Sequence, residues 1–240
     1  MAGQMLRDAM EGKRQAVDTL LMKIKRFGSL SMDERKEIET FFFEGRTELE
    51  GNSYYQYFLG HMYFSGNCVE KKDQERAIDY FGKAAEQNNV NALCCLGDIK
   101  EKGYGFEIDI PKALELYRRA AELGDGDSAS RLGQLYNQGE KVERDEKEAF
   151  RWWLMSAERG VIEDMNNIAI MYCYGRGVAE NTERGFRWFR RLLDNKPKLN
   201  VFVAARIITN MEKTLQETVS ESLHARYRSI LSEPEIEMKS

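Results

Sequence analysis

The chain has 240 residues, with 36 Lys and Arg against 40 Asp and Glu, a net charge of −4, four cysteines, two histidines and only three prolines. At roughly 100–200 residues per domain it makes one compact domain or one elongated array. Its slight negative excess gives no global positive field to draw it onto nucleic acid or anionic lipid. The scarcity of proline and a charged fraction of 32%, against a usual figure of about 25%, suit a chain built mostly of solvated helix.

The opening stretch MAGQMLRDAMEGKRQ carries Arg7, Asp8, Glu11, Lys13 and Arg14. It therefore lacks the uninterrupted apolar core of about 7–15 residues that a secretory signal needs. The longest uncharged window, Gly51 to Val69, holds Asn52, Ser53, Gln56, His61, Ser65 and Asn67, which would enter lipid only at heavy cost. A cytoplasmic location is the expectation. Leu6, Met10, Val17, Leu20, Leu21, Ile24 and Phe27 recur at helical spacing. Ser31 with Glu34 forms a capping box that opens a helix through Phe41, Phe42 and Phe43 to Leu49. Residues 1–50 thus read as capping helices; a helix lying on a lipid surface is the alternative.

A repeat follows. Ala77, Ala113, Ala149 and Gly185 are each 36 residues apart, and Gly60, Gly97, Gly133 and Ala169 are spaced by 37, 36 and 36. The extra residue falls in the Val69–Gln74 loop. Each repeat predicts two short helices. The first places Leu59, Leu96, Leu132 or Ile168 beside the small residue and ends at Gly66, Gly103, Gly139 or Gly175, where a helix C-terminus favours the left-handed conformation. Asp73, Asp109, Asp145 and Asn181 stand where N-caps belong, and Pro111 suits a first helical turn. The second helix carries Phe81, Tyr117, Trp153 or Phe189 and small pairs such as Ala84–Ala85 and Ala120–Ala121. One such pair cannot bury its apolar stripe alone, so pairs must stack, and these aromatics read as core. The predicted bounds are 52–88, 89–124, 125–160 and 161–196, within 51–196. Ala205 lies 36 beyond Ala169, so 197–232 reads as a fifth first-helix with a closing helix, and 233–240 as a tail.

The pattern LG-x-x-Y-x-x-G, then V, D-x-x-K-A and K-A-A-E-x-G resembles the Sel1-like repeat, a relative of the tetratricopeptide repeat. Its fullest copy is LGDIKEKGYGFEIDIPKALELYRRAAELG, from Leu96 to Gly124. Lys100 in place of the aromatic, Cys68 and Lys141 in place of the second loop glycine, and Gly185 in place of alanine depart from it. The resemblance implies an all-α fold, a right-handed α/α superhelix of antiparallel helix pairs, whose first helices line a concave groove. By that likeness the partner-binding positions are Tyr57, His61, Asn91, Asp98, Glu101, Ser130, Gln134, Asn137, Asn166, Ile170, Tyr174 and Arg206. The middle of this set is rich in amides, which both donate and accept hydrogen bonds. Burial beneath the capping helices is the competing reading for the aromatics at its ends.

Little in the sequence points to catalysis. His61 and His224 lie far apart, and Cys68, Cys94, Cys95 and Cys173 form neither a CxxC pattern nor a paired framework; they read as buried, reduced thiols. His61 with Cys68 would lack a third and fourth metal ligand. Glu163–Asp164 reads as a solvated helix start. No cofactor, metal or small-molecule substrate is expected. The expected role is a non-catalytic protein–protein interaction scaffold or adaptor that takes a protein or peptide partner. An inhibitor, immunity-type protein or host-directed effector with one protein target is the alternative. A helical-repeat RNA binder is the less favoured one, motivated by Arg184, Arg187, Arg190, Arg191, Lys196, Lys198 and Arg206.

Overall fold

The computed structural model describes residues 2–43 and 49–194, with positions 209 and 213. The predicted fifth first-helix, closing helix and tail, and with them Arg206, lie outside the described residues apart from those two positions. The fold is all-α, and no strand occurs among the described residues. The chain divides into two compact units, Met1–Leu123 and Gly124–Ser240.

The first unit opens with α1 (Ala2–Met10), α2 (Arg14–Lys25), a 3-10 turn at Phe27–Ser29 and α3 (Met32–Phe43). The predicted capping box is formed: the Glu34 N–H donates to Ser31 Oγ at 3.3 Å and the Ser31 N–H to Glu34 Oε2 at 3.2 Å. Leu6, Val17, Leu20 and Ile24 are buried in the core of this unit, and Phe42 stacks on Tyr55 with ring centroids 5.3 Å apart. Two helix pairs follow, α4 (Ser53–Ser65) with α5 (Gln74–Glu86) and α6 (Val90–Lys102) with α7 (Ile110–Glu122). The second unit holds two more, α8 (Gly126–Gln138) with α9 (Glu146–Glu158) and α10 (Ile162–Tyr174) with α11 (Thr182–Asp194).

Local chemistry sets the ends of these helices. Asp73, Asp109, Asp145 and Asn181 each accept from backbone N–H groups of the turn they open, satisfying donors that a helix start leaves orphaned. The first helices are capped the same way by Asn52, Asn89 and Asp125, whereas Val161 offers no side-chain cap to α10. At the far end Gly66, Gly139 and Gly175 adopt the left-handed conformation.

Each loop inside a pair is closed by one backbone bond from the N-cap residue to the preceding helix: Asp73 to Tyr63, Asp109 to Lys100, Asp145 to Tyr136 and Asn181 to Tyr172, at 2.8–3.0 Å. The first clamp spans ten residues and the other three span nine (73 − 63 against 109 − 100, 145 − 136 and 181 − 172). The extra residue of the first repeat is therefore absorbed inside the clamp, where Cys68 takes a positive φ of 62°.

The small markers let the paired helices approach. A Cβ added at Gly60 or Gly97 would lie 2.6 Å from the ring of Phe81 or Tyr117, and one at Gly133 would lie 2.6 Å from Trp153 Nε1. In the fourth pair the roles are exchanged. Ala169 stands on the first helix and Gly185 on the second, where a Cβ would meet the Ala169 carbonyl oxygen at 2.8 Å and press on Cys173 Sγ. The apparent departure at Gly185 compensates for the alanine opposite it.

Gly133→Ala is expected to cost about 1–3 kcal/mol by overpacking against Trp153. Gly82→Ala, in α5 with open space around it, is expected to gain up to about 1 kcal/mol from helix propensity. Urea denaturation of the two variants checks this, and equal stabilities would show that the ring–glycine approach does not limit the fold.

Candidate functional site

The positions flanking each small marker lie on the first helices, α4 and α6 in one unit, α8 and α10 in the other. In the first unit Tyr57 is buried, with its ring against Phe58, His61 and Phe81. His61 is half-buried, edge-on to Tyr57 and Phe81 at 4.8 and 5.2 Å, and its Nε2 lies 3.5 Å from Cys95 Sγ. Burial, aided by the charge of Lys25, lowers the imidazole to about 4, and burial pushes the Cys95 thiol up to about 12. The pair has the spacing of a nucleophile and its base, but both members are neutral at pH 7.

Asn91 is half-buried in the first turn of α6. Asp98 accepts from Lys102 Nζ at 3.0 Å and from the Tyr117 hydroxyl at 2.7 Å. Glu101 is 0% exposed and lies 3.0 Å from the same hydroxyl. Burial raises the Tyr117 phenol above its ordinary range, and the two carboxylates reinforce the shift. The sequence pattern placed Glu101 on an open face; the ring reaching across Gly97 holds it inside.

The second unit carries more amides. Gln134 accepts from Arg131 Nη1 at 3.0 Å and Asn137 from Arg176 Nη2 at 3.4 Å. Arg176 also pairs with Glu146 at 3.1 Å, and Glu146 with Arg144 at 2.6 Å; these hydrogen bonds hold the Glu146 carboxyl below its usual range. Ile170 is half-buried and Tyr174 is 38% exposed. Asn166 is half-buried, and its Oδ1 and the Trp153 Nε1 are shielded from solvent without a hydrogen-bond partner among the described residues.

Ser130 belongs to a buried polar cluster that the sequence did not reveal. Asp164, 1% exposed, accepts from Ser156 Oγ at 2.6 Å and Asn167 Nδ2 at 3.1 Å and bonds Ser130 as well. It joins α8, α9 and α10. The reading of Glu163–Asp164 as a solvated pair fits only Glu163, which is exposed. Burial raises the Asp164 carboxyl, while its three hydrogen bonds oppose the rise. The expectation of buried thiols fits Cys68 and Cys173 best, since Cys94 and Cys95 are half-buried.

The arginines of α11 are engaged locally. Arg187 pairs with Glu183 and Arg190 with Asp194, both at 2.7 Å, while Arg184 and Arg191 lie over the rings of Tyr172 and Trp188. Among the described residues no three His, Cys, Asp or Glu converge as metal ligands, and no helix is long and apolar enough to cross a membrane.

Two opposite pH dependences are expected. The folded state favours neutral His61, so its contribution to stability is present above about pH 6.5 and is lost as pH falls toward 4; His61→Phe removes that component. For Asp164 the fold favours the protonated acid, so stability falls as pH rises through the raised value, and Asp164→Asn flattens that component. Urea melts at pH 7 and 5 for His61→Phe, and at pH 7, 5 and 3.5 for Asp164→Asn, check both; a pH dependence equal to that of the wild type in either variant would contradict the assignment. Asp164→Leu, which strands Ser130 and Ser156, is expected to cost about 1–3 kcal/mol for each buried group left unpaired.

The Sel1 repeat family model matches residues 53–89, 91–125, 126–161 and 162–196. A protective antigen of uropathogenic Escherichia coli, c5321, which displays an SLR fold, is similar with a TM-score of 0.66 and 25% identity over 95% of this chain and 47% of that one. A Sel1 repeat protein from Oxalobacter formigenes is similar with a TM-score of 0.58 and 25% identity over 68% of this chain and 45% of that one. The chain spans about half the length of these two proteins, and no curated protein matches it significantly. With well over half of its length matched by the family model, the chain belongs to the Sel1 repeat family.

Proposed function

We propose that the chain is a non-catalytic scaffold that holds a protein or peptide partner on the first-helix faces of its repeats. The observation that carries this reading is the division of labour at the marker-flanking positions. Tyr57, Glu101 and Ser130 are taken up by the interior, whereas His61, Asn91 and Asp98 in one unit and Gln134, Asn137, Asn166, Ile170 and Tyr174 in the other retain solvent exposure. Amides and aromatics of that kind supply adaptable hydrogen bonds and contact area to an interface. The neutral state of His61 and Cys95 argues for a structural pair rather than an activated nucleophile. Family membership supports the same role, since Sel1 repeats generally mediate protein interactions.

The experiment compares the tagged full chain with its Asn91→Trp and Gln134→Trp variants in affinity purification followed by mass spectrometry. A partner recovered by the wild type is expected to fall at least about tenfold with one or both variants, with melting temperatures preserved. Equal recovery from all three chains would reject the first-helix faces as the binding surface. The number of distinct chains lost together separates an adaptor from an inhibitor with one target.

A further inference from the structure

Two shielded polar atoms of the second unit, one donor and one acceptor, make no hydrogen bond among the described residues: the Nε1 of Trp153 on α9 and the Oδ1 of Asn166 on α10. Trp153 is 6% exposed. The groups around them are otherwise provided for. The neighbouring indole of Trp152 donates to Glu148 Oε2 at 3.0 Å, and Ser130, Ser156 and Asn167 all bond Asp164. Gln134, next to the glycine that the Trp153 ring crosses, spends its carbonyl on Arg131, and Asn137, one turn on, spends its own on Arg176. Buried polar groups are paired as a rule, and a donor and an acceptor left over amid so many paired neighbours point to a partner that comes from outside.

The repeat shows where such a partner has room. In the first pair Tyr57, three residues before the marker, lays its ring against Phe81 with centroids 6.2 Å apart, and it lies within electrostatic reach of Cys94 on the next first-helix. In the third pair Trp153 replaces Phe81, Asn166 stands where Cys94 stood, and Ser130 replaces the tyrosine between them. A ring's breadth of side chain is thus missing beside the donor and the acceptor, and Ser130 is itself turned to Asp164. The way in runs along the first-helix face, where Gln134, Asn137 and Ile170 retain exposure. Ile170, one turn beyond Asn166 on the same face of α10, adds an aliphatic wall.

We propose that this notch receives the side-chain carboxamide of a glutamine from the partner segment, its carbonyl accepting from Trp153 Nε1, its amide donating to Asn166 Oδ1 and its methylenes lying on Ile170. The inference rests on the first-helix faces being the binding surface, and it names what the second unit selects there. A carboxylate only accepts and sets its charge against the Asn166 oxygen, whereas an ammonium only donates and leaves the indole unpaired. A carboxamide supplies both functions. Sites built around a hydrogen-bond pair reject analogues that leave one member stranded.

The test titrates the full chain with three capped heptapeptides, Gly-Ser-Ala-X-Ala-Ser-Gly with X as glutamine, glutamate or lysine, followed by amide and indole NMR. The glutamine peptide is expected to move the Trp153 indole proton and the Asn166 side-chain amide, and to bind at least about tenfold more tightly than either of the others. Trp153→Phe keeps a ring across Gly133 without an N–H, and Asn166→Leu removes the acceptor; each variant is expected to bind the glutamine and glutamate peptides alike. The preference is a ratio taken on one folded variant, so a change in Tm does not mimic the result. Equal binding of the glutamine and glutamate peptides by the wild type, a preference that survives in both variants, or shifts that leave the indole proton unmoved would each overturn the proposal. So would failure of the glutamine peptide to bind; a water cross-peak at the indole proton would then assign the two atoms to ordered water. Failure of the wider reading is distinguishable, because it shows as partner recovery indifferent to Gln134→Trp.

Discussion

The structure depends on how closely an aromatic ring of one helix can lie across the backbone of its partner. Helices pack with axes about 8–10 Å apart according to the side chains at their contact, and here one member of each pair presents a glycine that leaves no room for a Cβ against its partner. The small residue can sit on either helix, as the fourth pair shows with Ala169 facing Gly185. What is conserved through the repeats is the sum of two small positions and one large ring. A Cβ on the wrong side meets either that ring or a carbonyl oxygen that cannot move away.

The same packing links the interior to the first-helix face. A ring that crosses its partner at the marker brings its far edge to the next turn, so the second helix decides what the first helix offers to solvent. Phe81 has no polar edge and leaves His61 to find Cys95. Tyr117 has a hydroxyl and gathers Asp98 and Glu101 around it. Trp153 has an indole N–H, but Gln134 and Asn137 of the equivalent turn bond Arg131 and Arg176, and the donor has no partner among the described residues. A buried donor in that state carries a desolvation cost, so the second unit keeps a polar demand that the first has met.

This linkage explains which features were legible in the sequence. Helix ends, N-caps and the repeat itself are local properties, and the caps at Asp73, Asp109, Asp145 and Asn181 and the box at Ser31 and Glu34 fall where the residue types require. Register on the first helix was legible too, but register locates a backbone position and not what reaches it from another helix. Glu101 and Tyr57 therefore read as groove residues although the ring tips opposite draw them inward. Asp164 escaped for a stronger reason: its acceptors' worth depends on Ser130 and Ser156, which lie on two other helices and meet it only when three helices converge. The departure at Gly185 looked like a weakened repeat because its meaning lies in Ala169.

The polar interior also bears on chemistry at the His61 face. Moving the Cys95 proton to His61 would create a thiolate and an imidazolium in a site whose burial already disfavours each charge separately. Their mutual attraction would have to exceed both desolvation penalties, and the charge of Lys25, which bears on both groups, favours the thiolate while opposing the imidazolium. The pair consequently stays a neutral hydrogen bond between α4 and α6, satisfying a half-buried ring nitrogen as Tyr117 is satisfied one repeat later. Groups that could titrate are thus committed to holding helices together, and the exposed side chains left on the repeats are mostly those whose charge does not change near neutral pH. Such a surface is suited to recognition by shape and hydrogen bonding.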